Sequence, residues 1–287
     1  MLKWLRAIDC ERALNSEIIA RAQLFASVEP GVTFWSAEVF EKGAEEVIRL
    51  CQAGKYQYDV NEILHTDGEK VIEKIDSLGF QFVAPTEKFD ELAAPPIGLI
   101  CKGNIELLNQ KSISIVGTRN PTPYGSRVAA EMAAQFVDRE WVVVSGGAYG
   151  IDTAAHKGAL IAEGETIAVL ASGLDVIYPA GNARLFSEIA ETGLLVSEYM
   201  PSVPALPHRF LNRNRLIAAL GRGTMVVEAA FRSGALRTAN DAKELNRIVM
   251  AIPGPINSPL SEGCHRLIGE GSAVICCGVN DALELMR

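Results

Sequence analysis

The chain has 287 residues, is 48% hydrophobic and carries a formal net charge of −8 at pH 7. That length supports one large domain, or one domain with a smaller companion, and the acidic balance argues against blanket affinity for nucleic acid. No apolar run reaches the ~18 residues of a membrane span, and Met1–Glu17, interrupted by Arg6, Asp9, Glu11 and Arg12, does not read as a signal peptide.

Residues 1–80 hold 9 Lys/Arg and 14 Asp/Glu, a net of −5, and read as a small all-α domain of short helices. Ser36 is an N-cap type with acids in the turns that follow, which predicts a helix start there. In 67–79, Val71, Ile72, Ile75 and Leu78 fall at helical spacing and Gly79 suits the stop. Residues 81–111 form a connector, with short strands expected at Phe80–Ala84 and Ile97–Cys101 around the Pro95-Pro96 break.

From residue 112 onward, strands and helices alternate. Strands are expected at 112–116, 141–145, 167–171, 193–197, 223–227 and 248–252. Helices are expected at about 124–137, 151–163, 182–191, 209–220, 235–245, 259–269 and 279–286. Each strand is a short continuous apolar run, as in a buried parallel sheet, so the class is α/β. The last helix ends near Arg287, leaving no room for a further DNA-binding module.

Chemistry concentrates where these strands end. Ser112–Val116 passes through Gly117-Thr118-Arg119 toward a helix, and Ser145-Gly146-Gly147 leads into Ile151-Asp152. Glycine turns and helix starts present backbone N–H groups to anions, and both loops should open on the edge of the sheet where α/β proteins bind ligands. Arg119 could grip a phosphate with bidentate geometry or pair with an acid such as Asp152 or Glu198. Residues 205–240 hold six arginines (209, 213, 215, 222, 232 and 237) against Glu228, a net of +5 in an acidic chain. Arg209, Asn212, Arg213 and Arg215 crowd the start of an apolar helix, where cations oppose the helix dipole unless something anionic binds. Ser233-Gly234 opens one more small-residue turn.

Other chemistries are poorly supplied. A G-x-G-x-x-G spacing is absent, so Gly146–Gly150 with Asp175 downstream makes a weak nicotinamide site. Asp152 and His156 lie four apart, which reads as a helix-start acid and a partly buried histidine before it reads as a proton-transfer pair. The cysteines (10, 51, 101, 264, 276 and 277) show no CxxC or zinc spacing. They predict no metal and no cofactor, and they suit a reducing cytoplasm.

Taken in order, Val116–Gly125, Ser145–His156, Gly173-Leu-Asp-Val-Ile-Tyr-Pro-Ala-Gly-Asn182, Ser197-Glu-Tyr, Phe210-Leu-Asn-Arg-Asn-Arg-Leu-Ile-Ala, Val227-Glu-Ala, Ser233–Ala239 and Gly263-Cys-His-Arg-Leu-Ile resemble the DNA-processing protein A (DprA, or Smf) family. The resemblance covers about 85–287 and implies an extended Rossmann-like, mostly parallel sheet with helices on both faces over 81–287. Region 1–80 is similar to the family's variable, sterile-alpha-motif-like domain. It implies a non-enzymatic, cytoplasmic protein that binds single-stranded DNA, protects it during natural transformation and loads the RecA recombinase. DNA contacts are then expected at Gly117, Thr118, Arg119, Ser145, Gly146, Gly147, Asn212, Arg213, Arg215, Ser233, Gly234 and Thr238. A homodimer is expected through the C-terminal part, at His265, Leu267 and Ile268. Two departures stand out. Ala180 occupies a position where many relatives carry a lysine or arginine, and the winged-helix domain that ends many relatives is not expected within 81–287. The rival readings are an enzyme cleaving a nucleotide N-glycosidic bond, whose Pro-Gly-Gly core this chain lacks at Gly221–Glu228, and a small-nucleotide sensor.

Overall fold

The structure is a computed structural model that describes residues 16–287; Cys10 and almost all of the charged start lie outside the described residues. The acidic first region folds into α1 (Ser16–Ser27), α2 (Thr33–Lys42), α3 (Ala44–Gln52), α4 (Asn61–His65) and α5 (Gly68–Ser77). The Asp67 carboxylate accepts the N–H groups of Glu69 and Lys70 and so caps α5. Ser36 does not cap α2. That helix begins three residues earlier, behind Val32, and Ser36 is buried inside it. A polar residue followed by acids marks a helix start only if nothing upstream can already turn.

Strands β1 (Gln81–Val83), β2 (Leu99–Gly103), β3 (Ser112–Val116), β4 (Val142–Ser145), β5 (Thr166–Leu170), β6 (Leu194–Ser197), β7 (Gly223–Val226), β8 (Ile248–Ala251) and β9 (Val274–Ile275) form one sheet. Its order is β1-β2-β6-β5-β4-β3-β7-β8-β9. Everything from β6 across to β9 is parallel, and β1 and β2 add an antiparallel edge. All six strands expected beyond residue 112 are present within two residues of their bounds. β9 was not expected, because Val274-Ile275 is too short to carry a period; it exists by pairing with Met250 and Ala251.

The connecting helices are α6 (Pro123–Val137), α7 (Ile151–Ile161), α8 (Ala183–Thr192), α9 (Pro207–Leu220), α10 (Gly234–Glu244), α11 (Glu262–Gly269) and α12 (Val279–Leu285). Strand alternation divides the core between them. Val143, Ile113, Ile115 and Met225 pack with Phe136 and Ala155 of α6 and α7. Val142, Val144 and Val226 point the other way, onto Leu216–Leu220 of α9 and Ala239 of α10. A third cluster joins Leu24, Val47 and Ile75 of the first helices to Ile100, Ala168, Leu170 and Leu195 of the sheet. The division expected near residue 80 therefore does not separate two cores.

From β3 the chain winds outward through β4, β5 and β6. It then returns along α9 to β7 and winds the opposite way. The carboxyl ends of β3 and β7 thus flank a topological switch point, where sheets of this kind leave a crevice for ligands.

Candidate nucleic-acid interface

Two loops at that edge are clasped to each other. Thr118 N–H donates to the Glu228 carbonyl at 2.7 Å, and Ile151 N–H donates to the Thr118 carbonyl at 3.1 Å. Gly150 has φ +84°, and a Cβ there would lie 2.3 Å from the Thr118 oxygen. Only glycine lets the second loop pack this closely, and the packing fixes the backbone that carries Arg119. The Arg119 side chain is exposed. Its guanidinium carbon sits 4.8 Å from the centroid of the Phe210 ring. Among the described residues it forms no ion pair, so neither Asp152 nor Glu198 takes it.

Two amides of the glycine turn are taken within the chain. Gly146 and Ala148 donate to one oxygen of Asp152, at 3.2 and 3.3 Å. The start of α6 is closed in the same way. Glu228 accepts from Thr122 N–H at 2.9 Å and from its hydroxyl at 2.6 Å. Carboxylates of the protein thus take two amides of the turn before α7 and the N–H of the residue that caps α6. Ser145 is buried and donates to the Ile115 carbonyl at 2.7 Å. Gly146 and Gly147 are buried as well.

Helix α9 supplies the third wall. Arg213 is 4% exposed, and a Cβ on Gly146 would fall 1.5 Å from its Nη1. Its Nε and Nη1 make no hydrogen bond. Burial lowers its pKa to about 10, against the attraction of Asp152, so it stays charged at neutral pH. Burial pushes the Asp152 carboxyl up, opposed by Arg213 and the two amides. The same burial, helped by Arg213, brings His156 down to about 3. His156 Nδ1 lies 2.8 Å from the Thr166 hydroxyl. It is a neutral core histidine, and Asp152 is a loop-closing acid.

The arginine cluster does not form one face. Arg215 binds both oxygens of the buried Glu198, at 2.6 and 2.5 Å. Arg237 pairs with Asp241 at 2.7 Å and Arg209 with Glu29 at 3.3 Å. Arg222 precedes β7 and its N–H bonds the Ser112 carbonyl, which puts it on the opposite edge of the sheet. Arg232 is exposed in the loop after β7. Asn212 donates to the Pro30 carbonyl at 2.7 Å, turned toward the first helical region. Of the last turn, Thr238 is buried, Ser233 accepts the Ala235 N–H and caps α10, and Gly234 is open to solvent.

At the other end, Leu267 is 6% exposed and belongs to the core, which corrects its expected place in a dimer contact. Ile268 is half-buried, and His265 Nε2 lies 3.0 Å from the Gly254 carbonyl. Three exposed side chains escaped the sequence reading. Tyr178 is 47% exposed, with its ring 5.5 Å from that of Phe210. Tyr149 is exposed and accepts the Gly181 N–H. Arg184 is exposed in the first turn of α8, four residues beyond Ala180. The Gly173–Asn182 motif marked the segment but not which of its side chains face outward.

Comparison with known proteins places the chain in a family. The family model for DNA recombination-mediator protein A matches residues 84–287. The chain belongs to that family. The putative DNA processing protein DprA of Mycobacterium tuberculosis is 52% identical over 165 residues, which is 58% of this chain and 42% of that protein. The DNA processing protein DprA of Streptococcus pneumoniae is 46% identical over 66% of each chain. The matched segment therefore spans 42% to 66% of these relatives' own length. An X-ray structure of the Streptococcus pneumoniae protein superimposes with a TM-score of 0.81 at 33% identity, covering 94% of this chain and 98% of that one. A Helicobacter pylori DNA processing protein A, described for its single-stranded DNA binding mode, gives a TM-score of 0.67 at 31% identity over 71% of this chain and 94% of that one.

Proposed function

We propose that this DNA recombination-mediator protein A family member binds single-stranded DNA along the carboxyl edge of its sheet. The observation that carries the reading is Arg119: exposed, on a clasped loop, held over Phe210, and free of any ion pair among the described residues. Arg232 and Arg184 are exposed beside loops of the same edge, and Arg184 makes up for the cation missing at Ala180. Gly117 and Thr118 position Arg119, and the phosphate contacts run on past Ser233 and Gly234. Arg213 lies beneath the surface, facing Asp152, and does not touch the strand. Ser145, Gly146, Gly147, Asn212, Arg215 and Thr238 support this edge without facing the strand. Single-stranded DNA bound by a few arginines through its backbone is held with little base-edge readout.

In this reading the chain works in the cytoplasm without a catalytic step. It shields the strand and hands it to RecA, as a homodimer that contacts its copy around Ile268 and His265. The exposed Val274 and Ile275 on the edge strand β9 favour a partner there. Among the described residues, no helix is long and apolar enough to cross a membrane, and Cys51, Cys101, Cys264, Cys276 and Cys277 are free thiols. A nucleotide hydrolase or sensor is disfavoured by Asp152 and Glu228, carboxylates that take the Gly146, Ala148 and Thr122 amides beside the switch point.

Fluorescence anisotropy with a labelled thymidine oligonucleotide tests this. Saturable binding that excess AMP does not displace is expected. Displacement by AMP, or no binding at low salt, overturns the reading.

A further inference from the structure

We infer that the amino edge of the sheet, opposite the edge of Arg119, carries a second anion site, where Lys88, Arg222 and Arg247 bind a terminal phosphate group; the site is independent of the single-stranded DNA reading above. Four neighbouring strands begin behind large side chains there. Trp141 precedes β4, Lys111 precedes β3, Arg222 precedes β7 and Arg247 precedes β8, and these strands lie side by side in that order. Neighbouring strands are about 4.8 Å apart, so the sheet lines up three cations along its edge. Lys88 of the connector joins them. Its Nζ donates to the Gln110 carbonyl and, at 3.2 Å, to the Ser112 hydroxyl, while Arg247 Nη2 donates to the Lys88 carbonyl at 3.0 Å. Burial first, then the charges of Arg247 and Arg222, bring Lys88 down to about 8. Three like charges are thus gathered in a chain whose formal net charge is −8.

The protein balances only part of that charge. Helices α9 and α10 both end at this edge. Arg247 Nη1 donates to the carbonyls of Ala218, Ala219 and Gly221, and its backbone N–H to that of Ala242. Each helix end is worth roughly half a negative charge, so about two of the three positive charges are left over. Carboxylates do not take them: among the described residues, Lys88, Arg222 and Arg247 form no ion pair. Glu91 acts on Arg247 only at longer range, and Glu140 lies 3.6 Å from Lys111 with its side chain 90% exposed. The Arg222 guanidinium is exposed, makes no hydrogen bond among the described residues and lies 5.8 Å from the centroid of the Trp141 ring. Lys88 keeps its third N–H. A phosphate monoester carries close to two negative charges at pH 7 and three strong acceptor oxygens, which matches the charge left over. A phosphodiester carries one. The five residues of β3, about 17 Å of strand, separate this edge from the Arg119 loop.

Lys88 provides the readout. At neutral pH part of its amine is uncharged and open to acylation, which mass spectrometry follows on the full chain. Inorganic phosphate should slow Lys88 acylation about fivefold, because an anion held there keeps the ammonium charged. Chloride at equal ionic strength and dimethyl phosphate, a diester, should not. Arg222→Ser should abolish the protection without moving the melting temperature, since Arg222 is exposed, and Arg222→Lys should retain part of it. Phosphate should also raise the wild-type melting temperature above that in dimethyl phosphate, a readout that needs no variant. A thymidine oligonucleotide with a 5′-phosphate, set against its 5′-hydroxyl form, separates the sources. Protection by the phosphorylated strand assigns the site to strand ends, and protection by inorganic phosphate alone assigns it to a small phosphate. Equal protection by chloride or dimethyl phosphate, protection that survives in Arg222→Ser, or no protection by phosphate or by the phosphorylated strand overturns the site.

Discussion

The loop after β3 and the first turns of α9 present the same residue type to the same edge, yet they use it in opposite ways. Arg119 reaches solvent with an aromatic ring beneath it and no acid beside it. Arg215, two turns into α9, spends its charge on Glu198, and Arg213 lies under the surface against Gly146. The difference comes from the packing of the backbone. A loop at a strand end stands clear of neighbours, whereas a helix crossing the sheet turns every third or fourth residue into it. Arginine density along a sequence therefore reports where charge is stored and says little about which charge a ligand can meet.

Breaking the committed arginines should cost stability. In Arg215→Ala, the Glu198 side chain, 4% exposed, is left without its cation. About 3–5 kcal/mol of folding free energy should be lost, read as a lower midpoint in chemical denaturation. Replacing both partners with apolar residues should recover most of the loss. An Arg215→Ala protein with unchanged stability and weakened DNA binding would place Arg215 with Arg119 after all.

The opposite pattern is expected for Arg119→Ala. Losing one charge-assisted phosphate contact should weaken oligonucleotide binding by about 1.5–3 kcal/mol, or roughly 10- to 150-fold, with an unaltered melting curve. The log–log dependence of affinity on salt should also become shallower by about 0.7, the contribution of one contact on a single strand. Arg213→Met should leave that slope unchanged, since its guanidinium is buried. A slope shift in Arg213→Met equal to that in Arg119→Ala would show that Arg213 swings out to the strand.

Much of this was legible in the sequence, and the failures share a cause. Strand runs such as Val142–Ser145 and Ile248–Ala251 declare themselves because burial on both faces demands a nearly continuous apolar run. The Arg119 loop was visible because a glycine, a threonine and an arginine at a strand end have few other uses. What could not be read were pairings between distant positions. Nothing local links Glu228 to Thr122, Glu29 to Arg209 or Arg215 to Glu198. Leu267 was misplaced for the same reason, since an apolar residue on a short helix can face a core or a partner equally well.

Acid provides a gentler test of the buried charge. His156 has an ordinary value of 6.5, but burial, helped by Arg213, holds it neutral in the folded chain down to about 3. Below pH 6.5 the unfolded chain takes up a proton that the folded chain refuses. Stability conferred by the neutral ring is therefore complete above that pH and is lost as pH falls through the window toward 3, by up to roughly 1.4 kcal/mol per pH unit. His156→Gln, which can still bond Thr166, should flatten this acid limb in thermal melts between pH 6.5 and 4. Identical acid limbs in the two proteins would show that His156 is protonated in the fold, with Arg213's charge directed elsewhere.

The smallest effect is expected where the two regions of the molecule meet. Glu29, in the turn after α1, lies 3.3 Å from Arg209 and 3.8 Å from His208 of α9, and its side chain is about half exposed. The Arg209 side chain is 13% exposed, but with Glu29 open to water the pair should contribute little to folding, about 0.2–1 kcal/mol. Its removal should be nearly silent in a melting curve. Arg209 also bonds the Pro204 carbonyl at 2.7 Å and lies over the Tyr199 ring, so it should hold its place without the acid. Glu29→Gln would then leave the Arg209 charge uncompensated at the start of α9. Oligonucleotide affinity should rise about two- to fivefold at low salt, with the gain fading as salt is added. A gain that persists at high salt would mean that Glu29 acts by positioning α9 and not by charge. A loss of affinity would show that the acid organises the DNA edge and that Arg209 needs its partner to face the strand.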